Sequence, residues 1–93
     1  MSKPYMISYD LDTPGQKYDQ LIATIKQFSD AYIKLQKSFW LVRTDLTPNQ
    51  MSDKLNSVLD GNDELFICEL QNNYQGRTSK DNWNFIRESI FGS

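Results

Sequence analysis

An α+β sandwich with one extra helix at its C-terminus is predicted by three observations. There are four β-rich stretches, two helical stretches interposed as in a repeated strand–helix–strand unit, and a third helical stretch after the last strand. The first strand is Tyr5, Met6, Ile7, Ser8 and Tyr9, apolar and β-forming throughout, as expected of a central strand. Turn formers follow from Asp10 to Gly15. Apolar residues then recur at Tyr18, Leu21, Ile22, Ile25 and Phe28, a three-and-four spacing that predicts a helix over residues 16–28. Residues 32–38 alternate, whereas Phe39, Trp40, Leu41 and Val42 run together. Two strands with a turn or bulge at Lys37 and Ser38 fit this better than one long strand.

Thr47, Pro48 and Gln50 form the clearest local signal: an N-cap, a proline at the first helical position and a capping-box glutamine. Met51, Leu55, Val58 and Leu59 make the apolar stripe of this second helix, and Gly61 is expected to end it in a left-handed conformation. Residues 64–70 are the fourth strand, residues 72–76 a polar loop, and Thr78 or Ser79 caps a last helix carrying Trp83, Ile86 and Ile90 on one side.

The first six elements spell the βαββαβ order of a ferredoxin-like sandwich. The chain is expected to be a single domain over residues 1–93, with the core at about 4–71 and the added loop and helix at about 72–93. Two helices cover one face of such a sheet, yet both faces of the first and third strands are apolar. A homodimer with Tyr9, Phe39 and Trp40 at its interface is the expected cover, and folding of the last helix across that face is the alternative. Cys68, between Phe66 and Leu70, reads as a small buried hydrophobe.

Composition removes whole classes of chemistry. The chain has no histidine, so it holds no Ser-His-Asp triad, Cys-His pair or imidazole-ligated zinc. One cysteine makes neither an internal disulfide nor a thiolate cage. A net charge of −2 and a pI near 4.9 argue against a wholly basic, nucleic-acid-trapping surface but leave room for a local basic patch. No apolar run is long enough to span a membrane, and the N-terminus lacks a leader's pattern, so a cytoplasmic protein is expected.

Tyr9 and Asp10 at the end of the first strand, Gln36, Lys37, Ser38, Phe39 and Trp40 across the second and third, and the βαββαβ order together resemble the CRISPR-associated protein two family. The resemblance spans about residues 5–70. Members are small ferredoxin-like dimers that work beside the integrase in spacer acquisition, and some are described as metal-dependent nucleases. The related virulence-associated protein D toxins share the architecture. The resemblance implies a dimer with Asp10 of each chain facing across the two-fold axis, where Mg²⁺ or Mn²⁺ could bind, and a serine, Ser38, near the active centre. It also implies that Gln36 contacts the partner chain. Two features depart from the family. The stretch after Asp10 holds a single base, Lys17, where members carry several, and the usual closing strand is replaced by a polar loop and a helix.

Candidate groups are therefore Asp10 and Ser38 for catalysis, Asp10 for metal, and Gln36, Lys17, Lys37, Arg43 and Arg77 for binding. Asp10 and Ser38 also read as ordinary turn residues that satisfy nearby backbone. The aromatic residues of the strands read as core or interface rather than as a base-stacking platform. Three functions fit: a homodimeric scaffold that binds nucleic acid or a protein without catalysis, a Mg²⁺- or Mn²⁺-dependent endonuclease built on paired Asp10 carboxylates, and a small protein-binding regulator or inhibitor. Thin basic content favours the first.

Overall fold

The computed structural model describes residues 1–12 and 16–92. The turn expected over residues 13–15 lies outside the described residues. The elements are β1 (Lys3–Asp10), α1 (Gln16–Lys26), β2 (Ala31–Gln36), β3 (Phe39–Thr44), α2 (Pro48–Asn56), β4 (Glu64–Glu69) and α3 (Lys80–Phe85), which continues as a π-helical turn, Ile86–Ile90. The strands form one sheet in the order β2-β3-β1-β4, antiparallel throughout. This is the expected α+β, ferredoxin-like sandwich.

Alternation along the strands sorts the side chains into two cores. Tyr5, Ile7 and Tyr9 of β1 and Trp40 and Val42 of β3 face α1 and α2, meeting Leu21, Ile25, Phe28, Met51 and Leu55. On the opposite face Leu41 meets Ile86 and Ile90, with Ile33, Leu35, Phe39, Trp83 and Phe91 packed around them. The last helix therefore crosses its own sheet, resting on β2 and β3. That arrangement corrects the assignment of Tyr9 and Trp40 to a dimer interface. They are 5% and 2% exposed inside the first core, where Trp40 Nε1 donates to the Tyr9 hydroxyl at 3.0 Å. Phe39 is half-buried beneath the chain's own last helix.

Capping explains the helix ends. Thr47 Oγ1 accepts from the Gln50 backbone at 3.1 Å, and Gln50 Oε1 accepts from the Thr47 backbone at 2.9 Å, so the capping box forms as expected. Ser79 Oγ accepts from the Asn82 backbone at 3.1 Å and starts α3. α2 ends at Asn56, earlier than expected, because Val58 N–H donates to the Leu55 carbonyl and Leu59 N–H to that of Asn56, closing the helix in tighter turns. Gly61 has no left-handed φ; among the described residues that conformation belongs to Gly92, at φ 57°, after the π-helical turn. α1 likewise ends at Lys26, while Phe28 stays buried in the turn that follows.

β4 is an edge strand. Leu65 and Ile67 lean towards the helices, while Phe66 and Cys68 point to the other face, beside Ser8 and Met6 of β1. The last helix does not cover these two side chains. Phe66 is 64% exposed and Cys68 is exposed, which corrects the expectation of a buried cysteine. Cys68 shares a face with Leu70 as expected, but only Leu70 finds cover.

Candidate functional site

The site residues separate into two neighbourhoods at opposite edges of the sheet. At the β1–β4 edge, Asp10 ends β1 exposed, in register with Glu64 of β4. Both border an open groove with Ser8, Asp63 and Phe66. Asp63 is not free for a ligand. Its Oδ1 accepts from the Asp12 backbone at 2.9 Å, and its Oδ2 accepts from the Asp60 backbone and Lys17 Nζ, each at 2.8 Å. These contacts, the Asp60 amide first, hold its carboxyl down at about 2. Lys17 also pairs with Asp60, and the two carboxylates push its pKa up.

This corrects the reading of Lys17 as a binding residue: it staples the start of α1 to the loop before β4. Asp10 and Glu64 remain as the open carboxylates of this groove. Among the described residues, no group of three carboxylates or thiols gathers where it could hold a metal ion. Two carboxylates supply only part of a divalent cation's oxygen shell, the rest of which water or a phosphate would have to fill.

Ser38 sits in the β2–β3 turn, where its carbonyl accepts from the Tyr9 backbone at 3.1 Å. It is next to β1 but does not line the Asp10 groove. The neighbouring Lys37 carbonyl accepts from the Tyr18 hydroxyl at 2.7 Å, leaving the Lys37 ammonium in solvent. Arg43 is also corrected as a binding residue. Its guanidinium donates to Ser2 Oγ at 3.0 Å, to the Ser2 carbonyl at 3.1 Å and to the Ile90 carbonyl at 2.8 Å. It caps the last helix and ties it to the N-terminus, as a cation at a helix C-terminus does.

The second neighbourhood lies at the β2 side, between the sheet and the C-terminal segment. A pocket of about 340 Å³ opens there, and Gln36 and Arg77, far apart in sequence, both line it. Its walls are Leu35, Phe39, Leu41 and Ile86, closed by Tyr74, Trp83 and Phe91. Tyr74 stacks nearly parallel on Phe91, with ring centres 4.2 Å apart, and on Trp83 at 6.0 Å. Gln75 and Thr78 complete a polar rim. Tyr74, with Arg77 and Lys80 before the last helix, could be weighed from sequence as an anion-binding group against a plain solvated loop. Sequence reading missed Trp83 and Phe91 as site residues, because Trp83 fits a plain helical stripe and no motif marks Phe91.

No protein-family profile matches the chain, and no curated protein matches it in sequence. A solved structure is similar in fold: that of the hypothetical protein TT1823 from Thermus thermophilus is 18% identical, and the match covers 85% of this chain and 94% of that one with a TM-score of 0.66. The likeness shows the ferredoxin-like fold. Among the described residues no helix is long and apolar enough to cross a membrane.

Proposed function

We propose that this protein is a small homodimeric scaffold of the CRISPR-adaptation type that holds a nucleic acid without cutting it. The observation that carries the reading is the meeting of Gln36 and Arg77, two binding candidates chosen from sequence, in one aromatic-walled pocket. Aromatic faces with flanking bases are how proteins hold single-stranded nucleic acid. The resemblance of residues 5–70 to the CRISPR-associated protein two family supports the same class. Self-association is supported by Phe66, a large apolar side chain 64% exposed in the middle of an edge strand, next to exposed Cys68.

A metal-dependent nuclease is the second reading, favoured by Asp10 and Glu64 standing abreast at the end of β1 and β4. Among the described residues the pair gathers no third protein ligand, so water, a substrate phosphate or Asp10 of a second copy would complete a metal's shell.

The test is fluorescence anisotropy with labelled single-stranded RNA, single-stranded DNA and duplex DNA at several salt concentrations. It is run beside a cleavage assay in Mg²⁺, Mn²⁺ or EDTA with wild type and Asp10→Ala. Salt-sensitive binding without cleavage, unchanged in Asp10→Ala, is expected. Metal-dependent cleavage lost in Asp10→Ala would replace this reading with the nuclease. A stable dimer that binds no nucleic acid would make it a regulator acting on another protein.

A further inference from the structure

We propose that the pocket between β2–β3 and the C-terminal segment is a nucleotide site that takes one unstacked base with its phosphate towards Arg77. This deepens the nucleic-acid reading and rests on it. Three features argue for such an occupant. The cavity, about 340 Å³, is of the size that encloses a small ligand. Tyr74 stacks near-parallel on both Phe91 and Trp83, and the three rings together give the pocket an aromatic wall against which a planar heterocycle can pack.

The rim chemistry is amide and cationic. Gln36 offers a donor and an acceptor, the form that reads a base edge. Gln75 Oε1 accepts from the Gly76 backbone at 2.9 Å, which leaves its amide N–H groups to donate. Arg77 is exposed at the mouth, and among the described residues no carboxylate lines the pocket, although the protein as a whole is acidic. An apolar side chain of a protein partner would leave the amides and the guanidinium without a role; a nucleoside monophosphate engages all of them.

The test follows the indole N–H resonances of Trp83 and Trp40 by NMR as AMP, GMP, CMP, UMP or inorganic phosphate is added. Trp40, 2% exposed on the other side of the sheet, is the internal control. A saturable shift of Trp83 alone is expected with at least one nucleotide and none with phosphate. Arg77→Ala and Gln36→Ala replace exposed side chains and should retain the wild-type melting temperature while weakening binding about tenfold, as loss of a charge-assisted contact does. No shift with any nucleotide up to about 10 mM, the weak end of specific binding, overturns the proposal, and so does affinity unchanged in both variants.

A short single-stranded oligonucleotide separates the two readings. If it binds wild type and both variants alike, the pocket proposal fails and the nucleic-acid scaffold stands. If mononucleotides bind and the oligonucleotide does not, the pocket serves a free nucleotide and the scaffold reading fails.

Discussion

Trp40 and Asp63 show how differently a residue can stabilise this molecule. Trp40 is 2% exposed, donates to the Tyr9 hydroxyl and packs its ring 6.0 Å from that of Tyr32. Trp40→Ala removes the largest side chain of the first core and strands a phenol whose pKa burial already pushes up to about 12. It should cost about 3–5 kcal/mol in denaturant unfolding; a loss below about 1 kcal/mol would contradict its place in the core. Asp63 works through charge at a loop. Its folded pKa of about 2 lies below the ordinary carboxylate value, so on acidification the unfolded chain takes up the proton first. The contribution is complete above about pH 4 and drains away as pH falls towards 2. Melting temperatures of wild type and Asp63→Asn should therefore differ at neutral pH and converge across that window. A constant difference would mean that the carboxylate charge is not what holds the α1 staple.

Among the elements, the last helix depends most on a single side chain. α3 and its π-helical turn rest on β2 and β3 through Ile86 and Ile90, and Arg43 holds their end by bonding the Ile90 carbonyl and Ser2. A Cβ on Gly92 would meet the Arg43 guanidinium carbon at 3.4 Å, and the φ of 57° disfavours any side chain there. Arg43→Ala should cost about 2–3 kcal/mol, from charge-assisted bonds at a half-buried site. Hydrogen exchange should rise first in residues 80–91 while β1 stays protected. Uniform loss of protection would show that the helix and the sheet unfold as one unit. The same helix closes the pocket, so Arg43→Ala should also weaken nucleotide binding without Arg43 touching the ligand.

At the scale of the whole molecule, the two edges of the sheet have opposite characters. The β4 edge carries Asp10, Glu64 and Glu69 around exposed Phe66 and Cys68; Lys34, Lys37 and Arg77 stand at the β2 side. One edge thus suits self-association and the other an anionic partner. Phe66→Lys should weaken the proposed dimer at least ~30-fold, the effect of losing a central apolar anchor. Sedimentation velocity at several concentrations measures this, and the melting temperature should hardly change because the side chain is already in solvent. An unchanged association constant would place the interface elsewhere, and a monomeric wild type would remove the dimer from the proposal.

The sequence by itself determined the order and type of the elements. Strand alternation, helical spacing, the Thr47 capping box and the turn at Lys37 and Ser38 are local signals, set by backbone geometry within a few residues. It also placed Gln36 and Arg77 among the binding groups, from residue chemistry and from a family resemblance. What only the tertiary structure decided is which groups remain available. Lys17 and Arg43 look like free bases in the chain, yet carboxylates and carbonyls distant in sequence take up their charge. Tyr9 and Trp40 look like interface residues until the alternation of β1 and β3 turns them under α1 and α2. Cys68 looks buried until the last helix, resting chiefly on β2 and β3, leaves Phe66 and Cys68 of β4 bare. Period and capping are short-range properties, whereas burial and charge pairing depend on which distant surface arrives, and no local pattern encodes that arrival.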